Sequence, residues 1–141
     1  MTTPRNSLRY PGHDYRHPGS YFVTICTHKR QPLFGQVLGG TMLLTRQGEA
    51  IDRAWQDIAT AFHGVIVDMH VVMPDHLHGI LMLGTDPAIP DTHSLSTLVG
   101  WFKVRTHAKY RHRVAAGAWP PYRGKLWQTS YHDRIIRNDP E

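Results

Sequence analysis

Two apolar runs separated by three residues constrain the fold of this chain more than any other feature. Residues 65–72 and 76–83 both suit strands, and only Met73-Pro74-Asp75 joins them. A parallel crossover needs about a dozen residues or more, so these strands must be antiparallel neighbours. The second strand opens with His76-Leu77-His78. Side chains at i and i+2 leave the same face of a strand, about 6.6 Å apart along the backbone. The two imidazoles therefore share a face, while Leu77 points to the opposite layer. Spacing alone is weak evidence, because a chain of 141 residues with 11 histidines holds about one such pair by chance. Its place at the start of a strand, after a Pro-Asp turn, makes it a candidate site.

The remaining segments fit around that hairpin. Residues 20–29 are aromatic and β-branched, as a buried strand requires. Residues 33–45 contain Gly35 and Gly39-Gly40 beside short apolar pieces, which predicts a small hairpin. Thr45 is placed to cap a helix running to Phe62, in which Ile51, Ala54, Trp55, Ile58 and Phe62 share one face. His63-Gly64 is its stop signal. Ser94 is placed to cap a second helix whose apolar face carries Leu95, Leu98, Val99, Phe102, Thr106 and Tyr110. Residues 115–125 read as a Gly/Pro loop and residues 126–136 as a last strand. The order β, hairpin, α, β, β, α, β predicts an α+β, ferredoxin-like split β-α-β sandwich. Its antiparallel sheet carries two helices on one face, with the small hairpin inserted after the first strand. The histidine pair then lies on a central strand.

Composition bounds the function. Apolar residues make up 40% and charged residues 19%, the balance of one globular domain. The division expected is a basic N-terminal arm at 1–19 and one domain at 20–138. No stretch of about 18 apolar residues occurs, which argues against a membrane span. The one cysteine, Cys26, has no internal partner and suits a buried thiol in a reducing cytoplasm. The net charge is +5, and residues 103–137 hold nine Lys or Arg against the single acid Asp133. One-sided positive charge of this kind points to a nucleic-acid partner.

The ordered pieces resemble a known family. Met73-Pro74-Asp75-His76-Leu77-His78-Gly79, with Tyr21-Phe22-Val23-Thr24 upstream and Leu126-Trp127-Gln128 before Asp133-Arg134-Ile135-Ile136-Arg137, resembles the single-tyrosine HUH transposases of insertion sequences. The branch most similar is the REP-associated tyrosine transposases, which Ser94-Leu95 and Phe102-Lys103 also match. The resemblance covers nearly all of residues 8–138. It implies a ferredoxin-like domain for DNA transposition, a recombination of mobile elements, acting on single-stranded DNA that often forms hairpins. It implies that His76 and His78 bind a divalent metal, Mg²⁺ or Mn²⁺, and that a tyrosine attacks the scissile phosphate to leave a 5′-phosphotyrosine link. Hard cations prefer oxygen ligands, so a DNA phosphate and a further protein group are expected beside the two imidazoles. Homodimerisation of the complete protein is also implied.

The family's nucleophile lies on a helix after the last strand, in a Tyr-Ile-x-x-Asn-Pro or Tyr-Ile-x-x-Gln type motif. This sequence ends at Glu141, where that helix is expected to begin. The expectation is therefore a truncated domain with its C-terminal catalytic helix missing and no identifiable catalytic residue. Tyr131 is the alternative within the chain, although its place on the last strand suits packing or base stacking better. Expected DNA contacts are Arg5 and Arg9 from the arm, Lys103, Arg105, Lys109, Arg111 and Arg113 from the second helix, and Arg134 and Arg137 from the end. His70 and His132 read as structural histidines that lie within reach of the site, Asp75 as the shaper of its turn or an outer ligand. Two other readings stay open: a non-catalytic nucleic-acid-binding remnant of the same fold, and a small zinc hydrolase. The hydrolase needs a glutamate base, and the chain has only Glu49 and Glu141.

Overall fold

The computed structural model describes residues 18–86, 88 and 93–136. Strand β1 (Gly19–Cys26) leads through a 3₁₀ turn at His28–Arg30 into a hairpin of β2 (Gly35–Leu38) and β3 (Thr41–Leu44). Helix α1 (Arg46–Ala61), strands β4 (Ile66–Met73) and β5 (His76–Leu83), helix α2 (Leu95–Ala115) and strand β6 (His132–Ile136) follow. The main sheet is antiparallel in the order β4-β5-β1-β6. This is the α+β ferredoxin-like arrangement expected, with β5 and β1 central.

Both helices start at the residues whose chemistry predicts it. The Thr45 hydroxyl accepts from the Gly48 N–H, and the Ser94 hydroxyl accepts from the Thr97 N–H. Each satisfies an amide that the first turn leaves without an intrahelical partner. Ile51, Ala54, Trp55 and Ile58 of α1 pack with Leu95, Leu98, Val99, Phe102 and Tyr110 of α2 and with Tyr21, Val23, Ile25, Leu77 and Leu81 of the sheet. Burial strictly alternates along β5. The described helices therefore cover one face only. A run of rings, Trp55 to Phe102 to Trp127 to Phe34, ties α1, α2 and the loops together at centroid distances of 5.2–5.5 Å.

Two boundaries differ from the sequence expectation. Strand β1 ends at Cys26 rather than at residue 29, and residues 126–131 are not strand. Only a lone bridge pairs Thr27 with Trp127. The reason is Lys103, whose ammonium donates to the carbonyls of Gln128, Thr129 and Ser130. Three successive carbonyls gathered on one cation cannot alternate across a ladder. Residues 1–17 and 137–141 lie outside the described residues, and with them most of the expected arm, Arg5, Arg9 and Arg137.

Candidate metal centre and nucleic-acid interface

Register places the histidine pair on the face opposite the helices. His76 lies between Met73 of β4 and Cys26 of β1, and His78 between Val71 and Thr24, which in turn faces His132 of β6. Leu77, fully buried between them, anchors the strand in the core. The two imidazole rings stand 5.2 Å apart, centre to centre, with their planes at 69°. A metal–nitrogen bond is about 2.1 Å and a ring centre lies about 1.2 Å behind its nitrogen. Two imidazoles at about 90–110° around one ion therefore have centres about 4.7–5.4 Å apart. The observed separation falls within that interval, as ligation of one divalent cation by both rings would require.

The turn before the pair orients it. The Asp75 carboxylate accepts from His76 Nδ1 at 2.8 Å and from the Arg30 fork through Nε and Nη2, both at 3.1 Å. With Nδ1 donating to Asp75, the neutral His76 ring carries its lone pair on Nε2, the tautomer a metal requires. Burial alone would raise the Asp75 carboxyl. The hydrogen bonds from Arg30 and His76 outweigh it and hold the group below the ordinary carboxylate range. Burial, then the neighbouring His76, push His78 down, which keeps it neutral and able to coordinate. Asp75 thus both shapes the turn and steadies a ligand.

Arg30 reaches Asp75 because Lys29 and Arg30 both adopt left-handed backbone angles, φ +56° and +53°. Such angles cost an L-residue about 1–2 kcal/mol each. Backbone bonds from Thr27 to the Asp75 carbonyl (3.0 Å) and from Phe34 to the Pro74 carbonyl (3.0 Å) hold the bend against the turn. Sequence reading passed over Arg30. A Lys-Arg pair after a strand gives no signal until the fold sets it beside Asp75.

Other residues separate from the pair. His70 points to the helix face, where its Nε2 meets Asp52 of α1 at 2.8 Å, so it does not approach the site. Cys26 adjoins His76 but is 6% exposed, and burial pushes its thiol up, so it remains a protonated structural group. Among the described residues no group of three His, Cys, Asp or Glu forms a ready cation cage. Tyr131 is buried and its hydroxyl bonds Ser96 at 2.8 Å. Tyr122 bonds His107 of α2 at 2.8 Å, Tyr21 is buried under the helices, and burial, then Tyr122, push Tyr110 up to about 12. No described tyrosine stands beside the pair.

The expected cationic surface also divides. Lys103 is occupied by loop carbonyls. Arg105 lies over Trp101 at 5.2 Å and near Asp57 at 3.7 Å, and Arg113 lies over Trp119 at 5.9 Å. With Lys109 and Arg111 they belong to α2, on the far side of the sheet from the histidines. Of the nine expected DNA-binding residues, Arg134 alone among those described shares the histidine face, opposite Phe22 in the register.

Gly79, part of the motif that carries the resemblance, has no role assigned from sequence. A Cβ there would lie 2.6 Å from His70 Cβ and 3.1 Å from Trp55 Nε1. The missing side chain lets α1 close on β5 immediately behind the histidine pair.

No family model matches the chain. An uncharacterised protein of Haemophilus influenzae is 30% identical over 144 residues, covering 96% of this chain and 80% of that protein. Among solved structures, a REP-associated tyrosine transposase bound to a REP hairpin superposes with a TM-score of 0.57 at 20% identity, over 92% of this chain. The chain spans 62% of that protein's length. A candidate transposase from Deinococcus radiodurans R1 superposes with a TM-score of 0.56 at 21% identity, covering 92% of this chain and 87% of that one.

Proposed function

The chain belongs to one family with the Haemophilus influenzae protein and has the fold of the two transposase structures, and from that premise we propose that it is the metal- and DNA-binding domain of a transposase. In this reading it holds single-stranded or hairpin DNA and takes part in strand cleavage and rejoining through a 5′-phosphotyrosine. The observation that carries the proposal is the His76–His78 pair. Its rings are spaced for one cation on the face of the sheet that the described helices leave open, and His76 is locked by Asp75. His76 and His78 would hold Mg²⁺ or Mn²⁺. When bound, that ion supplies charge stabilisation at the scissile phosphate.

The chain's own groups divide the remaining work. Asp75 holds the proton on His76 Nδ1, and Arg30 keeps Asp75 ionised. Arg134 supplies a cation on the same face for the phosphate backbone. The Tyr122 and Tyr131 hydroxyls bond His107 and Ser96, and Tyr21 and Tyr110 are buried in the core, so the described residues contribute binding and positioning rather than the nucleophile.

The test is a hairpin oligonucleotide with single-stranded flanks, end-labelled and incubated with the protein and Mn²⁺, followed by denaturing electrophoresis and a parallel binding titration. Binding that Mn²⁺ strengthens and His76→Ala weakens supports the reading, with a covalent adduct expected only where a tyrosine outside the described residues is supplied. Binding unaffected by Mn²⁺ and by His76→Ala assigns the chain to the non-catalytic remnant instead. Absence of binding refutes the proposal.

A further inference from the structure

On the histidine face, next to His78, lies an open cavity of about 300 Å³ lined by Phe22, Thr24, His132, Asp133 and Arg134. Phe22 sits on the central strand β1 and is half-buried, although no described helix covers that side of the sheet. An aromatic ring left partly open on a rigid strand is a surface that a planar ligand can cover. Its two flanks are informative. The His78 ring lies 5.6 Å away, and the Arg134 guanidinium lies over the Phe22 ring at 5.2 Å. The register places His132 and Thr24 in the row beside His78. Phe22, Thr24, His132, Arg134, Ile80 and Val71, the strand neighbours around His78 on this face, include no carboxylate.

We infer that this cavity is a nucleobase slot, in which one base of a single DNA strand takes the place of the Arg134 guanidinium on the Phe22 ring, Arg134 shifting to the outer face of the base, while the adjoining phosphate lies toward the histidine pair. The inference rests on the nucleic-acid reading above and adds a defined subsite to it. A base presents two apolar faces, and stacking on an aromatic tolerates any of the four. An arginine plane stacks on the other face of such a ring while its edge N–H donors reach a phosphate. Asp133, the one carboxylate lining the cavity, pairs in register with Val23 and is buried, so its side chain turns to the core rather than into the slot. Aromatic platform and stacked cation match one nucleotide: a flat neutral base joined to an anionic linker. An apolar peptide side chain would use the ring but leave the cation without a counterpart.

Phe22 is consequently a base-binding residue, and Arg134 serves both base and phosphate. This separates their effects. Two 12-mer ligands are titrated in EDTA by fluorescence anisotropy: oligo-deoxythymidylate, and the same backbone made of abasic sites. Wild type should prefer the oligothymidylate. Phe22→Ala and Phe22→Leu should weaken oligothymidylate about 5- to 100-fold and leave the abasic ligand within twofold, and Phe22→Trp should restore binding. Arg134→Ala should weaken both ligands. The leucine variant keeps the apolar volume, so loss of fold is distinguished from loss of the ring by the melting curve. Equal affinity of wild type for the two ligands, or equal losses on both in Phe22→Leu, overturns the slot while leaving nucleic-acid binding intact. If wild type binds neither ligand, the nucleic-acid reading fails first and the slot with it.

Discussion

Replacing Asp75 with alanine tests the organisation of the histidine site more directly than replacing either imidazole. The substitution removes three hydrogen bonds, at 2.8, 3.1 and 3.1 Å, and leaves both ligands in place. Its effect on stability should be small. The Arg30 side chain is 53% exposed, so its ion pair contributes about 1 kcal/mol or less. The bond to His76 adds about 1–2 kcal/mol. Its effect on metal should be larger, because loss of an outer partner that fixes a ligand's tautomer costs about 10- to 100-fold in affinity. The assay is Mn²⁺ binding followed by water-proton relaxation, alongside a denaturant melt of the metal-free protein and the long-range ¹H–¹⁵N spectrum of the histidines. Wild type should show His76 protonated on Nδ1, and Asp75→Ala should show a tautomer mixture. Arg30→Ala should move affinity in the same direction by less. A Mn²⁺ affinity in Asp75→Ala within twofold of wild type, with His76 still fixed in one tautomer, would refute the orienting role. Failure of wild type itself to bind Mn²⁺ would instead sink the metal centre.

Three further outcomes follow from the geometry. Gly79→Ala should destabilise the domain by about 1–3 kcal/mol through overpacking against His70 and Trp55, read as a lower denaturant midpoint; an unchanged midpoint would show that α1 does not close on β5 there. Lys103→Met should lower the melting temperature by freeing the carbonyls of residues 128–130, while oligonucleotide affinity stays within about twofold; a large loss of affinity with an unchanged melt would show instead that Lys103 serves DNA binding, as the sequence suggests. For Tyr110, the unfolded chain loses its phenolic proton near 10 and the folded chain near 12. Between those values the unfolded state binds fewer protons, so stability falls as pH rises. Tyr110→Phe should therefore lose less stability than wild type between pH 10 and about 12, and parallel profiles would contradict the burial of that hydroxyl.

The local pattern was legible because it depends on near neighbours. Thr45 and Ser94 cap the helices they precede, and the spacing of Ile51, Ala54, Trp55 and Ile58 gives α1 its buried face. His76-Leu77-His78 alternates as a strand must, so the shared face of the imidazoles followed from period-two geometry alone. What lies across the sheet was not legible. Arg30 meets Asp75 across 45 positions in the chain, Lys103 collects carbonyls 25–27 positions away, and Arg134 finds Phe22 only through the register of β1 and β6. A helical wheel could mark Lys103 and Arg105 as outside the apolar stripe. It could not show that α2 packs on the side of the sheet away from the histidines. Periodicity specifies which side chains travel together along one element, whereas the pairing of distant elements, set by the packing of the whole core, chose their partners.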